Sequence, residues 1–248
     1  MIKSGTNKVI IQSHFGVQCS RAGYTPKGKG LIKMWKPNLS FLRQARYLSE
    51  QGYSVLMYDL RNHGESDPGT LPWVSWGPEE GKDVVAAVNF ISQYSLYQHA
   101  SIGLLSICMG AAATTYAYGF DHGLRDYANL QAMIAVQPLH YKEFVKAFGM
   151  PSFLNRAGSK VSLERTGIDL NTKTFLSDVQ HIIVPTLVVQ NRNDPWTKVE
   201  FVEAYFDTLQ VEKEILWLDI EKSRATAYDD LGRAPEHVFG WFDKYVVP

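Results

Sequence analysis

Apolar runs recur along this chain with room for one amphipathic helix between neighbours. "SVLMYDL", "SIGLL", "QAMIAVQP", "PTLVVQ" and "EILWLD" are strand-like, and most are apolar on both faces. Between them lie helical patterns such as "EEGKDVVAAVNFISQY" and "KVEFVEAYFDTL". Strands that are apolar on both sides and alternate with helices predict a parallel sheet covered on both faces. Three further runs near the start, "KVIIQS", "GVQCSRA" and "LIKMW", are also read as strands. In "NLSFLRQARYLSEQGY", Leu39, Phe41, Leu42, Ala45 and Leu48 recur at helical spacing and Gly52 ends the helix. A length of 248 residues at 45% hydrophobic composition fits a single domain, 1–248, without disulfide staples. Residues 138–182 break the rhythm with Gly149, Pro151, Gly158 and Gly167, and are predicted to form a small cap inserted over the sheet.

Basic and acidic residues balance at 25 each, so net charge supplies no argument for nucleic acid or an anionic membrane. The stretch from Val84 to Phe120 lacks Asp, Glu, Lys and Arg, yet Asn89, Ser92, Gln93, Ser95, Gln98 and His99 interrupt it. It reads as helix, strand and helix, not as a membrane span. Cys19 and Cys108 make no disulfide framework, and no zinc-ligand spacing occurs, so neither metal nor cofactor is expected. "MIKSGTNKVI" lacks the apolar core of a signal peptide, which predicts a cytoplasmic setting and a free Cys108 thiol.

Chemistry concentrates at "SICMG", residues 106–110. A strand that turns sharply into a helix lifts the side chain at the turn clear of the sheet, and the crowding demands small residues two before and two after. Ser106 and Gly110 meet that demand around Cys108. A helix starting at Met109 points its positive end at the sulfur and favours the thiolate. The Met109 N–H is then half of an oxyanion hole. The other half is expected from the loop after "LIKMW", where Pro37 has no N–H and Trp35 or Lys36 is the better donor.

With "GYSVLMYDLRNHGESD" ahead of this turn and "VPTLVVQNRNDPWT" after it, the sequence resembles the α/β-hydrolase family from about Lys8 to Val246. The cysteine makes it most similar to the dienelactone-hydrolase branch. The resemblance implies a doubly wound, mostly parallel eight-stranded sheet with a nucleophile after the fifth strand, an acid after the seventh and a histidine after the eighth. Cys108 falls on the nucleophile position and Asp194 on the acid position. The histidine should stand near Ser223, but none occurs between Ile182 and Glu236.

A thiol normally needs a base within about 3 Å, oriented by the acid. His140 directly follows the sixth strand and is the candidate substitute; Lys222 could serve only if burial lowered its pKa. His63 is read as structuring its loop, Arg61 as pairing with a carboxylate of that same loop, and Trp73, Trp76 and Trp196 as walls of an apolar pocket. The expected function is chemistry on a small-molecule ester, thioester or other acyl substrate through Cys108, by hydrolysis or acyl transfer. The alternatives are a relative that only binds a small apolar ligand or partner, and a lyase using the same pocket.

Overall fold

The computed structural model describes residues 7–16, 19–24 and 39–248. Six strands form one sheet: β1 (Lys8–Ser13), β2 (Ser54–Met57), β3 (Ser101–Ile107), β4 (Leu130–Val136), β5 (Thr186–Asn191) and β6 (Lys213–Leu218). Their order across the sheet is β2-β1-β3-β4-β5-β6, and every pairing is parallel. The doubly wound α/β architecture is therefore present, with six strands among the described residues where eight were expected. "GVQCSRA" is no strand where it is described: Ser20–Tyr24 makes a turn closed by Gly23 N–H donating to the Ser20 carbonyl at 2.9 Å. "LIKMW" lies outside the described residues.

Residue alternation assigns the two faces. Val9, Ile11, Ile102, Leu104, Met133, Ala135 and Val188 face a core closed by α2 (Glu80–Gln93), α3 (Met109–Gly119) and α6 (Val199–Thr208). Ile10, Leu105, Ile107, Ile134, Val136, Leu187 and Val189 face a second core under α1 (Phe41–Glu50), α7 (Arg224–Arg233) and α8 (Glu236–Tyr245). In α1 the buried residues are Phe41, Gln44, Ala45 and Leu48, one stripe at helical spacing. Gly52, at φ 87°, turns the chain back into β2. Between β4 and β5 the chain carries α4 (Tyr141–Ala147) and α5 (Ser152–Thr166) within the span expected to be a cap.

The tightest point is the passage from β3 to α3, where Cys108 is the single intervening residue. All of α3 from Met109 to Tyr118 is buried, so this helix lies directly on the sheet. Its first turn fits because position 110 has no side chain: a Cβ there would stand 2.4 Å from the Ser13 carbonyl oxygen at the end of β1. Ser106 Oγ reaches Thr114 Oγ1 at 2.8 Å and pins the strand to the helix from below. Gly110→Val must push α3 off β1, and we expect it to lower unfolding free energy by at least about 2 kcal/mol in urea titration. An unchanged midpoint would refute the close-approach argument.

Candidate active site

Cys108 holds φ 56° and ψ −107°, a conformation that L-residues rarely adopt and that costs on the order of 1–3 kcal/mol unless its surroundings enforce it. They do: the Cys108 N–H donates to the Val136 carbonyl at 2.8 Å, while its own carbonyl accepts from Ala111 and Ala112 as the first bond of α3. The N–H groups of Met109 and Gly110, which precede that first bond, have no intrahelical acceptor. The thiol is buried, with the residue 2% exposed.

Beside Met109 lies the loop leaving β1, the strand adjacent to β3. A Cβ on Gly16 would meet Met109 Sδ at 3.0 Å, so "HFG", residues 14–16, borders the sulfur-bearing turn. This makes the backbone of Phe15 or Gly16 a further candidate oxyanion donor. Trp35 and Lys36 fall outside the described residues. The signal in the sequence was the short "HFG" directly after an apolar strand. His14 fixes this loop: its Nδ1–H donates to the Phe15 carbonyl at 2.7 Å and Nε2 accepts from the Leu60 N–H at 3.0 Å. The ring is neutral, its pKa lowered to about 3 by burial and then by His63, whose ring stands edge-on at 5.2 Å.

The place expected for a histidine is filled by Arg224, one residue beyond Ser223. Ser223 is instead the N-cap of α7, its Oγ accepting from the Thr226 N–H at 3.2 Å. The Arg224 guanidinium is fully buried and forms an ion pair with Asp194, both side chains 0% exposed. It also donates to Thr197 Oγ1 at 3.0 Å, to the Gln137 carbonyl at 2.5 Å and, through Nε, to the Tyr228 hydroxyl at 2.9 Å. Asp194 is saturated in turn, accepting from Gln190 Nε2 and from the Trp196 N–H, each at 2.9 Å. Burial works against the Arg224 charge, but Tyr228, Asp194 and Cys108 outweigh it and hold the group above the ordinary guanidinium range. An arginine in this position can orient and neutralise, but it cannot take up a proton.

Tyr228 extends the Asp194–Arg224 pair: its hydroxyl accepts from Arg224 Nε, and it lies in the same core as Cys108. Burial raises this phenol well above its usual range, with the neighbouring Arg224 opposing. The result is a bonded chain from Asp194 through Arg224 to Tyr228, in the core that also holds Cys108. Of these four residues, the sequence offered Cys108 and Asp194 as candidates. "SRATAY" held the other two, at a spacing of four that places both on one face of a helix.

His140, the candidate substitute base, is tied to backbone through both ring nitrogens. Nδ1 accepts from the Lys142 N–H at 3.2 Å as the N-cap of α4, and Nε2 donates to the Lys173 carbonyl at 3.1 Å. Both ring nitrogens are thus occupied by backbone, and burial lowers the pKa of a ring packed between Phe175 and Phe201. Lys222 is exposed, not buried. Arg61 pairs with Asp83 at 2.7 Å and Glu79 at 3.1 Å on α2 and its approach, instead of within its own loop. Of the three tryptophans, Trp76 and Trp196 flank Phe144 with ring centroids 4.3 and 5.4 Å away, in the same core as Cys108. Trp73 is apart, exposed and facing Arg165 at 5.9 Å.

The chain matches no protein-family model, and no curated protein is similar to it. Solved structures do match. An esterase from Pyrococcus furiosus superposes with a TM-score of 0.68 at 19% identity, covering 99% of this chain and 86% of that one. An α/β hydrolase from Penicillium gives 0.66 at 18% identity over 96% and 90%. An α/β serine hydrolase without a lid from Xanthomonas campestris gives 0.56 at 16% over 97% and 83%. The chain has the fold of these α/β hydrolases. No helix among the described residues is long and apolar enough to cross a membrane.

Removing one partner of the buried pair leaves an uncompensated charge, so Arg224→Met should cost about 3–5 kcal/mol of stability. Adding Asp194→Asn should recover part of it, and purely additive losses in a double-mutant cycle would disprove the coupling. Acid titration gives a second test. Below the unfolded histidine pKa of 6.5 the unfolded chain binds a proton that folded His14 refuses until about pH 3. Stability should therefore fall as pH drops through that window, and His14→Gln should flatten the slope of urea midpoint against pH.

Proposed function

We propose that this protein is an acyl-transfer enzyme in which Cys108 carries the acyl group. The observation that carries the reading is the left-handed Cys108 backbone at a one-residue strand-to-helix turn, in the same core as Tyr228. A strained cysteine between a strand end and a helix N-terminus is an arrangement that nucleophilic catalysis uses.

The sulfur attacks the acyl carbonyl, and the oxyanion is received by the Met109 N–H and an N–H of the loop at Phe15–Gly16. The adduct collapses by expelling the original leaving group with its electron pair, leaving a thioester on Cys108. No imidazole stands by to protonate that leaving group. This favours acyl thioesters and aryl esters, whose leaving groups depart as anions, over alkyl esters. Discharge of the thioester likewise lacks a base to activate water, so a thiol or amine that is nucleophilic on its own accepts the acyl group faster than water does. Trp76, Phe144 and Trp196 supply an apolar wall for the acyl chain.

A second reading, a binding protein on the same fold, is favoured by one observation: Asp194 is already neutralised by Arg224 and serves no base. Intact-mass spectrometry after incubation with an acyl thioester or a p-nitrophenyl ester separates the two. We expect one acyl adduct mapped to Cys108, absent from Cys108→Ala, and turnover that accelerates with added thiol or amine. Arg224→His, which puts an imidazole beside Asp194, should raise hydrolytic discharge by roughly 10²–10⁴-fold if it seats well. A folded native protein that leaves Cys108 unmodified sinks the enzyme reading and supports the binder.

A further inference from the structure

Helix α5 is built inside out. Its buried residues are Ser159 and Ser162, and polar side chains tie it to the domain: Tyr141 Oη donates to Asn155 Oδ1 at 2.6 Å, Asn155 Nδ2 to Asn171 Oδ1 at 2.8 Å, and Ser159 Oγ to Asp169 Oδ1 at 2.5 Å. Its large apolar residues face outward instead, Phe153 at 63% exposure and Leu154 at 52%. Phe148, on the turn just ahead, is exposed as well. Gly149 (φ 61°) turns the chain here, with nothing within 4 Å of where its Cβ would lie. Single exposed apolar residues need no explanation, but Phe148, Phe153 and Leu154 form one tip with Pro151 between them. A helix that faces only water normally has the opposite polarity.

The charge around the tip says what it meets. Residues 141–166 contain Lys142, Lys146, Arg156, Lys160 and Arg165 against Glu143 and Glu164, in a chain of zero net charge. Lys146 pairs with Glu143 at 3.3 Å and Lys160 with Glu164 at 3.8 Å, which uses both acids of the segment. Whole-chain neutrality thus conceals a local basic excess around an apolar tip. Like charge repels a second copy of the same face laid against this one, and it attracts an anionic surface.

We propose that the tip Phe148–Leu154 and the outer face of α5 dock onto an anionic lipid bilayer. Phe148, Phe153 and Leu154 enter the boundary between headgroups and acyl chains, and Arg156, which stands outside those two ion pairs, meets lipid phosphates. This does not depend on the chemistry of Cys108. It does place a docked membrane over the aromatic wall, because Phe148 packs on Phe144 at 4.9 Å and Trp196 at 6.0 Å.

Co-sedimentation with vesicles of phosphatidylglycerol and phosphatidylcholine, against pure phosphatidylcholine, tests the proposal on the full chain. We expect partitioning onto the anionic vesicles that weakens with salt, and a drop of about tenfold or more in Phe153→Ser/Leu154→Ser with unchanged thermal stability. Absence of binding to anionic vesicles, or equal binding by the double variant, overturns it. So does a shift from dimer to monomer on making the double variant, measured by analytical ultracentrifugation, since the face would then be an interface between copies.

Discussion

One close approach organises the molecule: α3 lies against the end of β1 with no side chain between them. Because Gly110 meets the Ser13 carbonyl at backbone distance, the chain has a single residue in which to reverse from strand to helix. That residue is Cys108, and its left-handed backbone follows from the constraint, independent of what the thiol does. The same approach brings the loop at His14–Gly16 against Met109. The conformation of Cys108 and the place of the candidate oxyanion donors are thus consequences of how one helix is seated, and His14 clamps the loop to the exit of β2.

Around that turn the acid has acquired a different partner. An imidazole between Asp194 and the sulfur would exchange protons; a guanidinium cannot. Desolvating a carboxylate and a guanidinium together is tolerable only when nearly every donor and acceptor is matched. Here four donor bonds of Arg224 and three acceptor bonds of Asp194 are made, with a planar fit to Trp196 at 5.4 Å added. Such completeness fixes both charges in place.

The sheet was legible because its strands, apolar on both faces, leave few alternatives, and Cys108 because small residues flank it. Asp194 was a candidate only through the acid position that the α/β-hydrolase resemblance implies. Arg224 and Tyr228 were not legible, because a buried arginine in "EKSRATAY" is indistinguishable in sequence from a solvated one. His140 looked usable because its position on the rim is right. Its ring nitrogens are taken by the Lys142 and Lys173 backbones, and that capping depends on a chain path no periodicity encodes. The start of the chain misled for a related reason: "GVQCSRA" has strand-like composition, but the turn at Ser20–Tyr24 interrupts it.

The hydrogen bonds of Arg224 also have a temporal meaning. Its guanidinium reaches Gln137, 87 residues earlier, and Asp194, 30 residues earlier, while Gln137 Nε2 returns a bond to the Arg224 carbonyl at 3.3 Å. Until α7 has left the ribosome, the carboxylate at the mouth of β5 has no counter-charge and the end of β4 no brace. Contacts this distant in sequence close late. The last tenth of the chain, from Arg224 on, therefore acts as a latch: one side chain joins the ends of β4 and β5 to the start of α7.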